Sequence, residues 1–152
     1  MTLLNPDYRD ILSAFSAEKV EFLLVGAYAL AAHGLPRATG NMDLWVKPEA
    51  DNAARVMRAL STYGAPVKNL SAEDFTRRST VVQIGAAPQR VDIMTTLDGV
   101  AFDHAWPRRL DVELDGIRIP VLSRDELATN KRAVGRPQDL ADASWLEGQK
   151  HL

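Results

Sequence analysis

Residues 20–46 read VEFLLVGAYALAAHGLPRATGNMDLWV, and this stretch decides the fold class. Its first six residues are β-prone and almost all apolar, which predicts a strand that is buried on both faces. Gly26 ends this strand, and residues 27–33 predict a short helix. Residues 41–46 alternate polar and apolar side chains, which predicts a second strand with one polar face near its start. The order of strand, helix and strand predicts a domain of the α/β or α+β class.

The flanking sequence extends this pattern on both sides. Asn5 is a predicted cap for an N-terminal helix, and a longer helix begins at Pro48 and runs to about residue 63. A short helix is predicted at residues 102–106, closed by Pro107. Residues 80–84 and 90–95 are two further strand candidates. Asp115-Gly116 predicts a hairpin between residues 110–114 and 117–121. Helices from Ser123 onwards complete a single domain, residues 1–152, with a core at about 20–100 and a C-terminal hairpin and helices at about 110–147.

Composition excludes several classes of protein. The chain has 152 residues, with 18 basic and 20 acidic side chains and no cysteine. A disulfide framework, a cysteine nucleophile and a thiolate metal site are therefore excluded. His33, His104 and His151 are far apart in the sequence, which argues against a structural zinc site. The nearly balanced charge argues against a protein that coats DNA.

Targeting signals are not visible in the sequence. The chain does not start with a basic segment followed by an apolar run, as a signal peptide would. The longest mostly apolar stretch, residues 22–32, is shorter than the roughly 20 residues that a bilayer-spanning helix needs. We therefore expect a cytoplasmic protein with no membrane partner.

Two features at the ends of the predicted strands are suited to phosphate and metal chemistry. Gly26-Ala27 stands where a strand enters a helix, and the backbone N–H groups at such a position favour a phosphate. Glycine also simply ends strands, so this feature alone is equally consistent with a structural role. Asn41 and Asp43 are two residues apart on one strand and share a face, so their oxygen atoms could hold one hard cation such as Mg²⁺.

Asp92 is a third feature, because its carboxylate interrupts an otherwise apolar strand. A charge in such a position is costly unless it is paired or bound to metal. Taken alone, Asp92 is consistent with a salt bridge to an arginine or with a strand edge that faces water. If its strand lies beside the strand of Asn41 and Asp43, the three features together provide what phosphoryl transfer requires: a phosphate cradle, a metal site and a base.

The combined pattern resembles the nucleotidyltransferase superfamily of the DNA polymerase β type. That family has a glycine followed by a small residue, then two carboxylates one residue apart, then a third carboxylate on a later strand. Residues 25–40 are similar to bacterial minimal nucleotidyltransferases, including relatives of the toxin half of AbiE-like toxin–antitoxin pairs. Residues 130–142 resemble the closing motif of that group, a lysine, an arginine and an aspartate on adjoining helices. The resemblance covers residues 20–147 approximately.

The resemblance implies a fold, an activity and a set of site residues. The fold is a short mixed sheet flanked by helices, with further helices at the C-terminus. The activity is Mg²⁺-dependent transfer, with Mn²⁺ as an alternative ion, of a nucleoside monophosphate from a nucleoside triphosphate (NTP) to a hydroxyl of RNA or protein, with an antitoxin protein as a further partner. The implied residues are Asp43 and Asp92 for catalysis, Asn41, Asp43 and Asp92 for the metal, and Gly26, Ala27, Arg37, Thr39, Lys131 and Arg136 for the nucleotide.

Position 41 departs from the family pattern, because the family has an aspartate there and this chain has Asn41. A carboxamide oxygen still ligates metal, but one negative charge is lost beside the cation, and hard cations bind most strongly to charged oxygen. An engineered change, an enzyme with a weaker ligand and a pseudoenzyme that binds a nucleotide or a protein partner remain as explanations. A structural α/β domain with an accidental motif match is the remaining alternative.

Overall fold

The secondary structure follows the predicted order. The structure, a computed structural model, describes residues 4–148, so His151 and both ends of the predicted domain lie outside the described residues. Within residues 4–148 the α-helices are α1 (Pro6–Ala17), α2 (Gly26–Ala32), α3 (Ala50–Tyr63), α4 (Phe102–Ala105), α5 (Arg124–Val134) and α6 (Pro137–Gly148). The strands of the same region are β1 (Phe22–Val25), β2 (Asn41–Val46), β3 (Val81–Ile84), β4 (Arg90–Met94), β5 (Leu110–Leu114) and β6 (Ile117–Val121).

The six strands form one mixed sheet in the order β3-β4-β2-β1-β6-β5. Strand β2 runs parallel to β4 and antiparallel to β1, and β1 runs parallel to β6. The hairpins β3–β4 and β5–β6 are antiparallel, and they place β3 and β5 at the two edges. The strands of residues 20–46 thus lie at the centre of the sheet, and the predicted mixed sheet flanked by helices is confirmed.

Strand β2 separates a buried face from a polar face, as its alternation predicts. Met42 and Leu44 are fully buried, whereas Asn41 and Asp43 are only partly buried. All four residues of β1 are buried, which fits a central strand covered on both faces. The polar side chains of β2 therefore project from the end of the strand where β1 passes into α2.

Helices α1 and α3 complete the hydrophobic core to which β1 and β2 contribute. The Asn5 side chain caps α1 by accepting a hydrogen bond of 2.8 Å from the backbone N–H of Tyr8. Gly64 ends α3 in the left-handed conformation, with a φ of 93°. The apolar faces of both helices are fully buried in one cluster, with Ile11, Leu12, Phe15, Ala53, Val56 and Leu60 among its members.

Two predicted helix boundaries are wrong by a few residues. Helix α3 begins at Ala50 and not at Pro48. Pro107 does not close the short helix before it, because the chain continues from α4 into a 3-10 turn, Trp106–Arg108. Proline is tolerated there because the first residues of a helical turn do not use their backbone N–H groups within the turn.

Within residues 4–148, the helices are all too short or too polar to cross a membrane.

Candidate active site

The two predicted catalytic carboxylates lie side by side. Strands β2 and β4 pair in parallel, with Asn41 opposite Arg90 and Asp43 opposite Asp92. Because opposed residues of neighbouring strands point to the same face of a sheet, both carboxylates project to one side. The expectation that the strand of Asp92 neighbours that of Asp43 is confirmed.

Asn41 bridges the two carboxylates through its amide nitrogen. Its Nδ2 donates to Oδ1 of Asp43 at 2.6 Å and to Oδ2 of Asp92 at 3.3 Å. The hydroxyl of Thr39 lies 3.4 Å from Oδ1 of Asn41 and donates to the Asn41 backbone carbonyl at 3.2 Å. The amide thus turns its donor side to the carboxylates and its oxygen to Thr39.

Arg90 is a site residue that the sequence analysis did not name. Its Nε donates to Oδ1 of Asp92 and its Nη2 to Oδ2, each at 3.0 Å. This is a bidentate arrangement, the strongest form of arginine–carboxylate pairing. The salt bridge considered above for Asp92 is therefore present. Strand alternation could have indicated it, since Arg90 and Asp92 are two residues apart and share a face.

Among the described residues, Asp43 is a carboxylate whose pKa is strongly shifted. Burial, followed by the negative charge of Asp92, raises the pKa of Asp43 to about 6. The hydrogen bond from Asn41 and the positive charges of Arg90 and Lys131 act in the opposite direction. A partly buried carboxylate beside a second, buried carboxylate is an arrangement whose repulsion a bound cation relieves.

Gly26 is the residue that lets the start of α2 approach Asp43. A Cβ atom at this position would lie 2.3 Å from Oδ2 of Asp43, which is closer than any real contact of this kind. The φ angle of Gly26 is also +68°, in the left-handed region that favours glycine. The glycine is therefore required by a close approach and by its backbone conformation together.

One cavity of about 240 Å³ is lined by four of the predicted site residues and by one residue of the C-terminal motif. Gly26 and Asp43 line it from the sheet, and Lys131, Arg136 and Asp139 line it from α5 and the start of α6. Residues from the N-terminal half, at positions 26 and 43, thus face residues 131–139 of the C-terminal helices across this cavity. Asn41 is hydrogen-bonded to Asp43 and links it to Asp92, although neither Asn41 nor Asp92 lines the cavity.

Three predicted nucleotide-binding residues lie elsewhere. Ala27, Arg37 and Thr39 line a separate cavity of about 420 Å³ between α2, the loop that follows it and Leu114. The guanidinium of Arg37 is bound bidentately by Asp142, at 2.8 and 2.7 Å. The structure therefore does not bring these three residues into the cavity of Asp43.

Asp139 and Asp142 anchor the C-terminal motif. Both carboxylates are almost fully buried, and Nζ of Lys131 lies 3.5 Å from each. Nε of Arg136 donates to Oδ2 of Asp139 at 2.6 Å. Lys131 and Arg136 are thereby held by α6 with their positive charges at the cavity.

Asp142→Asn is expected to lower the free energy of unfolding by about 2 kcal/mol at pH 7. The hydrogen bonds from Arg37 hold the pKa of Asp142 below its ordinary value, so the ionised form stabilises the fold above pH 4 or so. That contribution is lost as the pH falls through the lowered pKa, and the difference between the variant and the wild type should shrink below about pH 4.

Chemical denaturation at pH 7 and at pH 3 measures this difference. Asp10→Asn, which removes an exposed carboxylate of α1, is the matched control and should change stability by less than about 0.5 kcal/mol. Equal stabilities of Asp142→Asn and the wild type at pH 7 would contradict the anchoring role.

Tyr8 is a second residue that the sequence analysis did not connect with the site. Its hydroxyl donates to the backbone carbonyls of Pro88 at 3.0 Å and of Arg90 at 2.9 Å. Burial, with smaller contributions from Asp43 and Asp92, raises the pKa of Tyr8 to about 12. Tyr8 therefore holds the start of β4 in place and stays protonated at neutral pH.

The donor set fits one divalent ion. In phosphoryl-transfer sites Mg²⁺ is commonly held by one or two carboxylates together with substrate phosphates, and Asp43 and Asp92 provide two adjacent carboxylates. Within residues 4–148, no group of three or more acidic, histidine or cysteine side chains could hold a metal. A carboxylate at position 41 would complete such a group with Asp43 and Asp92.

Comparison with solved structures identifies the fold. A presumed nucleotidyltransferase from Thermotoga maritima is 21% identical, with a TM-score of 0.63 over 97% of each chain. The chain has the nucleotidyltransferase fold. The lincomycin-bound lincosamide antibiotic adenylyltransferase LnuA is 14% identical, with a TM-score of 0.60 over 97% of this chain and 98% of that one. The enzyme ANT(2″)-Ia in complex with adenylyl-2″-tobramycin is 11% identical, with a TM-score of 0.58 over 95% and 87%.

No protein-family model matches the sequence, and a search of curated proteins finds no match. The structural likeness extends over nearly the whole chain at low identity, so it establishes the fold. The activity has to be argued from the residues that this nucleotidyltransferase fold brings together.

Proposed function

We propose that this chain transfers a nucleoside monophosphate from an NTP to a hydroxyl group, forming a phosphodiester bond and releasing pyrophosphate. The observation that carries the proposal is the placement of Asp43 and Asp92 on parallel strands, beside a glycine cradle and opposite two cationic side chains. Phosphoryl transfer depends mainly on positioning and on electrostatic stabilisation, and this arrangement provides groups for both.

Different residues of the chain bind the phosphate groups and accept the proton of the hydroxyl group. The backbone N–H of Gly26, at the start of α2, binds phosphate, and Lys131 and Arg136 neutralise its charge from the opposite wall of the cavity. Asp92 accepts the proton of the attacking hydroxyl. Asp43 and Asp92 would hold a divalent ion, Mg²⁺ or Mn²⁺, which would supply positive charge beside the transferred phosphoryl group.

The acceptor in this proposal is a hydroxyl of RNA or protein, as the resemblance to minimal nucleotidyltransferases implies. The same resemblance adds a toxin-like role and an antitoxin partner to the proposal. The similar structures LnuA and ANT(2″)-Ia hold lincomycin and adenylyl-2″-tobramycin, so small molecules with hydroxyl groups belong among the acceptors to be tested.

A pseudoenzyme that binds nucleotide without turnover is the second candidate function. It is favoured by Asn41, whose amide nitrogen bonds both Asp43 and Asp92 where the family pattern has a carboxylate. In this candidate, Lys131 and Arg136 still bind phosphate, and the reaction stops because the metal is held too weakly.

Asn41→Asp is expected to raise transfer by about tenfold, because a restored third carboxylate binds a divalent ion more strongly. The measurement is incorporation of label from α-labelled NTPs into RNA, protein and small hydroxyl compounds, with Mg²⁺ or Mn²⁺. Label with Asn41→Asp alone would identify the pseudoenzyme, whereas label with both proteins would identify an enzyme with a weaker ligand.

Asn52→Asp is a matched control for the added charge, since Asn52 is a buried asparagine of α3 that bonds backbone groups of Glu21 and Lys47. It should not increase transfer. If neither the wild type nor Asn41→Asp transfers label with any NTP, the enzyme proposal fails. Absence of thermal stabilisation by NTPs in both proteins would also remove the pseudoenzyme.

A further inference from the structure

Of the carboxylate pair Asp43 and Asp92, Asp92 already has a cationic partner within the chain, the side chain of Arg90. Arg90 occupies both oxygens of Asp92, and the Asp92 side chain is only 11% exposed. A metal ion that used Asp92 would need at least one of these same oxygens. The guanidinium and the metal would share an oxygen of Asp92, and because both are cations they repel each other and compete for the same negative charge.

Asn41 likewise occupies an oxygen of Asp43 that a metal ion could use. Its amide nitrogen donates to Oδ1 of Asp43 at 2.6 Å, and an amide nitrogen cannot ligate a metal while it donates this bond. To present its oxygen to a cation, Asn41 would have to turn its amide and give up both hydrogen bonds to the carboxylates. The loss of these hydrogen bonds would therefore add a second free-energy cost to metal binding in this chain.

The net charge of the cluster leads to the same conclusion. Asp43 and Asp92 carry two negative charges and Arg90 one positive charge, so the cluster has a net charge of about −1 when both carboxylates are ionised. An aspartate at position 41 would make it −2, and the attraction for a divalent ion would increase accordingly. The present cluster therefore attracts a free divalent cation less strongly than a cluster with aspartate at position 41 would.

We propose that Arg90 is an internal counter-cation that competes with the divalent ion for Asp92, and that the ion therefore enters together with the nucleoside triphosphate and not before it. This inference rests on the proposed function, since it concerns the same metal. A triphosphate brings its own oxygen ligands, which compensate for the contacts that the ion must break at Asp92 and Asp43. Arg90 acts through Asp92 and is a positioning residue.

Binding of Mn²⁺ alone, without nucleotide, tests the competition. Free Mn²⁺ is followed by electron paramagnetic resonance during titration of the full chain at pH 7.5. Arg90→Gln is expected to bind Mn²⁺ about tenfold more tightly than the wild type, because the partly exposed guanidinium no longer competes. Asn41→Asp should also bind more tightly, and the double variant most tightly.

Arg118→Gln is the matched control. Arg118 is an exposed arginine on β6, so this change alters the net charge of the chain by the same amount away from the carboxylates. Its Mn²⁺ affinity should equal that of the wild type. Arg90→Lys keeps the charge but loses the bidentate geometry, and should lie between the wild type and Arg90→Gln.

An unchanged or weaker affinity in Arg90→Gln, with a normal melting temperature, would overturn the inference, because it would show that Arg90 holds the site ready for the metal. Absence of Mn²⁺ binding in every variant, including Asn41→Asp, would overturn it as well. Label transfer is measured separately. If Arg90→Gln binds Mn²⁺ more tightly but no variant transfers label, the result would contradict the proposed enzyme activity and leave the competition by Arg90 supported.

Discussion

Asp43→Asn is expected to reduce nucleotide transfer by about a thousandfold, measured in the more active of the wild-type and Asn41→Asp backgrounds. In the wild-type background this variant retains Asp92 as the only carboxylate of the pair, and both oxygens of Asp92 are already bonded to Arg90. A divalent ion would then have no anionic ligand on β2.

The same variant should be more stable than the wild type. In the folded chain the pKa of Asp43 is about 6, against an ordinary value of 3.8. Since the folded state holds the proton more tightly, ionisation destabilises the fold as the pH rises from about 4 through 6, by about 3 kcal/mol in total. Asp43→Asn removes this penalty, and its gain in stability should be present at pH 7 and absent at pH 4.

Loss of activity together with higher stability separates a catalytic role from a folding defect. Thermal melting at pH 4 and pH 7 measures the stability difference, with the exposed Asp10→Asn as the control. Retention of more than about a tenth of the transfer activity would remove Asp43 from the site. A variant less stable than the wild type at pH 7 would contradict the electrostatic account.

Gly26→Ala is expected to reduce transfer by about a hundredfold, since displacement of a catalytic group by about 1 Å has effects of this size. The new Cβ would lie 2.3 Å from Oδ2 of Asp43, so the carboxylate or the start of α2 must move. The positive φ of Gly26 adds a backbone strain of about 1 kcal/mol.

Gly116→Ala is the matched control for this variant. Gly116 also has a positive φ, of 80°, but a Cβ there would meet nothing within 4 Å. It should lose a similar amount of stability and keep its transfer activity. If both variants lose activity equally, or if neither does, the close approach of Gly26 to Asp43 has no catalytic importance.

Features that depend on neighbours along the chain could be predicted from the sequence. The alternation in residues 41–46 predicted β2 and its polar face, and Asp115-Gly116 predicted the β5–β6 hairpin, because strand alternation and tight turns are set by adjacent residues. The cap at Asn5 is equally local, since it joins residues three apart. Errors were confined to boundaries such as the start of α3.

Partners of charged side chains could not be predicted in the same way. The resemblance implied a nucleotide contact for Arg37, and nothing in the sequence indicated its pairing with Asp142, which is 105 residues away. An arginine pairs with whichever carboxylate the fold brings within hydrogen-bonding distance. The spacing of the two residues in the sequence does not predict their distance in space. Arg90 shows the reverse case, a pairing within one strand that alternation could have revealed.

By itself, the sequence determined the central strands, the face from which Asn41 and Asp43 project and the presence of one more carboxylate on a later strand. These follow from side-chain periodicity and from the cost of burying a charge, which act over a few residues. Only the tertiary structure decided that β4 lies beside β2, that α5 and α6 face Asp43 across one cavity, and that Arg90 already neutralises Asp92. These are distances between segments far apart in the chain, and packing of the whole sheet and its helices sets them.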